Sequence, residues 1–309
     1  MNETHLAELA GRHVWIVDGF DGGHGRLAAA DAAHLSGFDR GFQLGDGVFE
    51  TLRARGGRPI ELAEHLARLR RSADGLDIGL PDDVETRLEA AIAALLAADR
   101  LDGPDGDASV RITVSRGTSA ARRLLPADDV EPTILVQAWA VEPTPGEHLE
   151  RGLHLIASAV RRDPENPLAA LKTTSRADYV HARLEAKRAG ADDSLFLTID
   201  GHLSEATSAN VVLVRGPQLE TPSLGCAILP GTTRSWILGW AGRVGLEAVE
   251  GLLTTRDLAE ADEAFVCSSV AGILPVTRFE GRPIGSGRPG PWTRRARTDR
   301  EAFIRGGVG

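Results

Sequence analysis

Leu168-Ala-Ala-Leu-Lys172-Thr-Thr-Ser175 holds one of only two lysines in a chain with 35 basic residues; the other is Lys187. Almost every task that needs only a positive charge has gone to arginine. An amine can lose its proton, attack a carbonyl and form a Schiff base, whereas a guanidinium stays protonated. The apolar lead-in from Leu168 to Leu171 predicts a desolvated amine with a lowered pKa, and so a nucleophile. The alternative is a solvated charge left over in an arginine-rich composition, and for Lys187 that reading suffices.

Working outward from Lys172, residues 176–188 have helical spacing through Ala177, Val180 and Leu184 and stop at Gly190. Leu153 to Val160 reads as a strand. Ser194 to Ile199 and His202 to Glu205 flank Asp200-Gly201, a two-residue hairpin signal, and Asn210 to Arg215 is a further strand. Pro230-Gly231-Thr232-Thr233 opens a helix carrying Ile237, Trp240, Ala241 and Val244. Ala264 to Val266 predicts a short strand before Cys267-Ser268-Ser269. The Gly/Pro/Arg-rich stretch from Gly281 to Arg297 reads as a surface loop leading into a last helix.

The first half opens with strands. His13 to Val17 and Gly47 to Arg55 qualify, the second ending at Gly56-Gly57 with Pro59 to Leu62 returning as a hairpin partner. Leu62, Leu66, Leu69 and Ala73 lie on one face of a helix, and Val84, Leu88, Ala91, Ile92 and Leu95 on one face of another. Strands at Ser109 to Ser115 and Thr133 to Val141 follow. The whole is an α/β (α+β) pattern in two parts. Residues 1–142 form a small N-terminal α/β domain, residues 143–150 a linker begun by Glu142-Pro-Thr-Pro-Gly146, and residues 151–309 a larger C-terminal domain.

Composition narrows the function. A net charge of -9 with no basic stripe argues against a nucleic-acid or anionic-membrane binder, though a few pocket arginines could still receive a small anion. Two cysteines, Cys226 and Cys267, have no metal-type spacing. Met1-Asn-Glu-Thr-His-Leu6 lacks the basic and apolar regions of a signal peptide, and the apolar run from Ala90 to Ala98 is too short to span a bilayer. A cytoplasmic protein acting on small molecules is expected.

Four further places could carry chemistry. Glu205 ends a hairpin strand in Leu203-Ser-Glu-Ala-Thr-Ser-Ala-Asn210, with Thr207 and Ser208 behind it in a turn that suits an anion. Leu229-Pro-Gly-Thr-Thr-Arg234 sets threonines where a helix start offers unpaired N–H groups, an anion site if it is not merely a capped helix. Arg68, on the helix after residue 61, could reach the same anion or could simply face water. Ser268 and Ser269 could add hydroxyl or amide donors.

In order, these residues resemble the class IV (fold type IV) pyridoxal-phosphate enzymes. That family holds branched-chain aminotransferases, D-amino-acid aminotransferases, (R)-amine transaminases and aminodeoxychorismate lyases. The resemblance runs from about Asp39 to Val276. It rests on Asp39-Arg-Gly-Phe-Gln-Leu-Gly-Asp-Gly-Val-Phe-Glu-Thr51, His65-Leu-Ala-Arg-Leu69, the Lys172 segment, Ser204 to Asn210, Leu229 to Arg234 and Phe265-Val-Cys-Ser-Ser269. It implies pyridoxal 5′-phosphate in Schiff-base linkage to Lys172, with Glu205 paired to the pyridine nitrogen. Arg68, Thr232, Thr233 and Ser269 would cradle the phosphate, with Ser208 and Ser268 beside them. It also implies a homodimer of two-domain subunits, a pseudo-barrel in the larger domain, and the cofactor between the domains. The chemistry agrees: a carboxylate keeps the pyridinium protonated, so the ring can accept a carbanion's electrons.

Within the family the chain departs from the marked subgroups. Branched-chain enzymes typically carry a tyrosine five residues after the lysine; here that place is Ala177, and the only tyrosine is Tyr179, read as a core-packed helix residue with a wet hydroxyl. The Arg-x-His clamp typical of D-amino-acid aminotransferases is missing from Ser115-Arg-Gly-Thr-Ser-Ala-Ala-Arg-Arg123, and so is the Gly-Arg-Gly-Tyr common in the lyases. The expected activity is transamination from a D-amino acid or (R)-amine to a 2-keto acid, with Phe49 and Arg122 or Arg123 as substrate contacts. The alternatives are aminodeoxychorismate lyase and, further off, branched-chain aminotransferase.

Overall fold

The computed structural model describes residues 9–18, 23–121 and 123–306. The chain divides into two compact units: Met1–Val141 with Leu171–Ser175, and Glu142–Ala170 with Arg176–Gly309. Leu171–Ser175, which carries Lys172, therefore belongs with the first unit and not with the second half of the sequence.

The first unit is a six-stranded sheet of β1 (His13–Val17), β2 (Arg26–Ala29), β3 (Gly47–Arg55), β4 (Arg58–Pro59), β5 (Asp107–Ser115) and β6 (Thr133–Ala140), in the order β2-β1-β6-β5-β3-β4. Its helices are α1 (Arg40–Leu44), α2 (Leu62–Asp74) and α3 (Val84–Ala98). Strand alternation sends Val48, Leu52, Val110, Ile112 and Val136 to one face, where they meet Leu66 and Leu69 of α2 and Leu88, Ile92 and Leu95 of α3 in one buried core. Glu50 lies in phase with Val48 and Leu52 on β3 and is fully buried.

The second unit has α4 (Gly146–Arg151), β7 (Leu153–Arg162), α5 (Ala177–Arg188), β8 (Asp193–Thr198), β9 (Leu203–Ala206), β10 (Asn210–Arg215), β11 (Gln218–Pro222), α6 (Thr232–Val244), β12 (Glu247–Gly251), α7 (Thr255–Ala259), β13 (Glu263–Ser268), β14 (Gly272–Phe279), β15 (Arg282–Pro283) and α8 (Pro291–Ile304). The pairing order β10-β13-β14-β7-β8-β9 returns to β10, so six strands close into a barrel, as expected for the larger domain. The closing rung pairs Asn210 with Glu205. Leu155, Leu195, Leu203, Val211, Leu213, Val266 and Val276 form one core cluster. The alternate residues Val212, Val214, Phe265 and Cys267 pack outside it, on Ile237, Trp240 and Ala241 of α6 and Ala296 of α8.

Two expectations are corrected. The proposed linker contains the helix Gly146–Arg151, which packs on β14. The proposed loop from Gly281 to Arg297 already contains β15 and the start of α8. Pro291 sits in the first turn of α8, and the buried carboxylate of Glu263 accepts from Trp292 N, Thr293 N and Thr293 Oγ1, a long-range cap that no local pattern reveals.

Candidate active site

Lys172 is set on β3 by backbone pairing. Phe49 N donates to Lys172 O at 2.9 Å, Thr174 N donates to Gly47 O at 2.9 Å, and Lys172 N donates to Ser72 Oγ at 3.2 Å. Leu168 is 45% exposed, so the apolar lead-in is no desolvating sleeve. The aromatic neighbour comes from far back in the chain. Lys172 Nζ stands 4.9 Å from the ring centroid of Phe49, and the Arg111 guanidinium lies 3.9 Å from the same centroid. Phe49 is itself buried, so an amine and a guanidinium share one aromatic platform. Arg111 is the residue sequence reading missed here; its register opposite Thr51 on β5 follows only from strand pairing.

On the core side of β3, Glu50 accepts from Arg68 Nε at 2.7 Å and Nη2 at 2.8 Å, and His65 Nδ1 lies 2.8 Å from its Oε2. Burial alone would raise this carboxyl, but hydrogen bonds from Arg68 and His65 outweigh it and hold Glu50 at about 2. Being ionised, Glu50 only accepts, so the imidazole donates. Arg68, expected beside a phosphate, is thus a buried cation pre-set in a bidentate pair rather than a solvated helix residue.

In the second unit Glu205 is buried on β9. Its Oε2 accepts from Leu229 N at 2.9 Å and Asn210 Nδ2 at 3.3 Å, while its Oε1 lies 3.5 Å from the Tyr179 hydroxyl and 4.0 Å from Arg162 Nη2. Arg162 Nη2 donates to the Tyr179 hydroxyl at 2.6 Å, and Arg176 stacks 3.0 Å from the Tyr179 ring centroid. The hydroxyl of Tyr179 is therefore not wet: it belongs to a polar cluster around the carboxylate. Burial, with Glu205 adding to it, pushes the phenol's pKa up, so it remains a neutral donor. Arg162 and Arg176 had no distinguishing sequence signal.

The Thr232 and Thr233 segment starts α6. Its N-cap, Gly231, has no side chain to close the first turn, and an added Cβ would stand 2.1 Å from Asn210 Oδ1. Thr232 Oγ1 lies 3.1 Å from Ser269 Oγ, so two hydroxyls gather at an uncapped helix start. A 13-residue helix with such donors fits a phosphate. Ser208 is exposed and Ser268 half-buried; Thr207 donates its hydroxyl to Asp193 Oδ1 at 2.6 Å instead of facing an anion.

Of the expected substrate arginines, Arg122 lies outside the described residues. Arg123 is exposed, and its carbonyl accepts from Arg40 Nη1 at 2.8 Å. A nearby cavity of about 460 Å³ is lined by Asp18, Asp129 and Glu131, which does not suit a carboxylate ligand. Among the described residues no His/Cys/Asp/Glu group is arranged to hold a metal ion, and no helix is long and apolar enough to cross a membrane.

Comparison with known proteins gives the family. The family model for amino-transferase class IV matches residues 47–279. D-alanine aminotransferase of Bacillus licheniformis is 31% identical over 89% of this chain and 93% of its own. Aminodeoxychorismate lyase of Bacillus subtilis is 34% identical over 85% and 87% respectively. The structure of a T.th. branched-chain amino acid aminotransferase with pyridoxamine 5′-phosphate superposes with a TM-score of 0.87 at 26% identity, covering 96% of this chain and 95% of that one.

Proposed function

The chain belongs to the class IV aminotransferases, a pyridoxal 5′-phosphate-dependent family of enzymes, and within it we propose that this member moves an amino group from a D-amino acid or (R)-amine to a 2-keto acid. The observation that carries the reading is the Phe49 platform, with the Lys172 amine on it and a guanidinium 3.9 Å from the same ring. An amine that can bond a carbonyl and a cation that can receive a carboxylate, both on one ring, suit an amino acid and its keto acid. Support for the D side comes from Ala177, which stands where branched-chain enzymes typically carry tyrosine, and from the similarity to a D-alanine aminotransferase.

When bound, the cofactor supplies an aldehyde that takes up the amino group and a ring that accepts electrons. Lys172 would carry the covalent link and, once displaced by the substrate amine, move a proton at the substrate Cα. Glu205 would hold the pyridine nitrogen protonated: Leu229 N and Asn210 fix one carboxylate oxygen, and the Tyr179 hydroxyl and the Arg162 guanidinium flank the other at 3.5 and 4.0 Å. Arg68, Thr232, Thr233 and Ser269 would receive the phosphate, with Ser208 and Ser268 beside them, and Arg111 the substrate carboxylate. The amino donor and the 2-keto acid would then bind in turn at one site, a ping-pong cycle.

The visible spectrum tests this. D-alanine or D-glutamate should convert the bound cofactor to its pyridoxamine form, and pyruvate or 2-oxoglutarate should restore it, while L-amino acids leave it unchanged. Arg111→Gln should raise the KM for keto acids about tenfold, as loss of a charge-assisted pair predicts, with Arg123→Ala as the comparison. The similarity to the Bacillus subtilis lyase favours a second reading. Release of 4-aminobenzoate and pyruvate from aminodeoxychorismate, with no response to any amino acid, would establish that one instead.

We propose a homodimer as well. Phe38, Phe42, Leu124 and Leu125 are 61%, 80%, 84% and 82% exposed, and a backbone bond from Ser119 N to Phe38 O and a bond from Arg40 Nη2 to Leu124 O draw their segments together. Four large apolar side chains exposed on neighbouring segments suit a second copy of the chain. A monomeric mass in solution at micromolar concentration would refute it.

A further inference from the structure

Arg300 is the most enclosed cation in the second unit, only 1% exposed on the inward face of α8. Its guanidinium lies 5.2 Å from the ring centroid of Trp236 and 5.0 Å from that of Phe303, and Nη2 donates to Thr233 Oγ1 at 3.4 Å. Thr233 and Trp236 are three residues apart on α6, so they share a face, and Arg300 crosses the indole to reach the hydroxyl at the helix start. Trp236 stacks on Trp240, which meets Trp292 edge-on, so water is kept from this side of the guanidinium.

A permanent charge is buried here among aromatic rings, and one of its donors reaches the start of α6. Arginine only donates, so Thr233 Oγ1 is the acceptor in this pair and its single O–H proton must point elsewhere. We propose that Arg300 is a positioning residue for the phosphate end of the cofactor. It turns the Thr233 hydroxyl into a committed donor and places a fixed positive charge behind the uncapped start of α6, where the helix dipole already favours an anion. This rests on the reading that Thr232, Thr233 and Ser269 receive the phosphate.

The test compares pyridoxal 5′-phosphate with pyridoxal, which has the same ring and aldehyde and no phosphate. Apoenzyme is titrated with each, and the visible absorbance of the bound form gives the two Kd values. Arg300→Met should weaken the phosphate ester about tenfold, the scale of one charge-assisted interaction, and leave pyridoxal within about twofold. Arg300→Lys, which keeps the charge and loses the fork, should fall between; it carries the test alone if the methionine variant does not fold. In a Thr233→Ala background the Arg300 substitution should have a smaller effect. Equal weakening of both ligands, or no weakening of either, would show that Arg300 only joins α8 to α6 and would overturn the proposal. If Thr233→Ala itself fails to discriminate the two ligands, the phosphate reading falls and takes this inference with it.

Discussion

Two buried glutamates, one in each unit, have opposite surroundings. Glu50 is enclosed on β3 by a bidentate arginine and an imidazole, and its charge is neutralised where it lies. Glu205 on β9 has a backbone N–H and an amide on one oxygen, with a phenol 3.5 Å and the Arg162 guanidinium 4.0 Å from the other. The difference separates scaffold from chemistry. A carboxylate paired this closely stabilises its partners' geometry and has little capacity left for a ligand. In the proposed reading, the more loosely paired carboxylate is the one that would face a pyridinium.

The contrast can be broken most severely at Glu50. Glu50→Ala leaves Arg68 as a buried cation without its carboxylate, and should destabilise the protein by about 3–5 kcal/mol, read from denaturant unfolding. Acid should act on the same group. Its folded pKa, about 2, lies below the ordinary 4.5, so its contribution is present above pH 4.5 and is lost as pH falls toward 2. That contribution is on the order of 3 kcal/mol, and Glu50→Gln should flatten the acid limb of the stability curve by a similar amount. An unchanged acid limb would mean that the pair does not hold Glu50 ionised.

Glu205→Gln should do the reverse. Unfolding should shift little, because Gln keeps an acceptor for Leu229 N and Asn210, while turnover drops by about a hundredfold as the ring loses its anionic partner. Loss of stability comparable to that of Glu50→Ala would erase the distinction between the two carboxylates. Tyr179→Phe is the smallest change. It removes the donor facing Glu205 and the acceptor of Arg162, and should lower kcat about threefold with the cofactor still bound, because the phenol would act through the carboxylate and not on the substrate. A hundredfold loss would make Tyr179 a direct participant.

Local physics made much of this molecule readable. Alternation and a Gly56-Gly57 stop predict β3 at Gly47–Arg55, and a four-residue apolar stripe predicts α2 to within one residue. Lys172 stands out by residue chemistry alone. Its environment does not, because Phe49 and Ser72 are far away in sequence and meet it only through sheet pairing and the packing of α2, with Arg111 brought to the same Phe49 ring by strand register. Edge elements were equally silent: β2 at Arg26–Ala29 is almost wholly exposed, and β12 at Glu247–Gly251 reads as polar, so neither carries the pattern that burial imposes.

The sequence by itself thus determined the family and the cofactor and singled out Lys172 as the proposed nucleophile, since amine, carboxylate and hydroxyl chemistry is a property of residue type in a fixed order. Only the tertiary structure decided which charges remain available. It locks Arg68 to Glu50, closes the barrel through Asn210 and Glu205, ties the Tyr179 hydroxyl to Arg162, and buries Arg300 behind Thr233. Those pairings depend on strand register and helix packing across long loops, and the energy of a charge depends on what surrounds it.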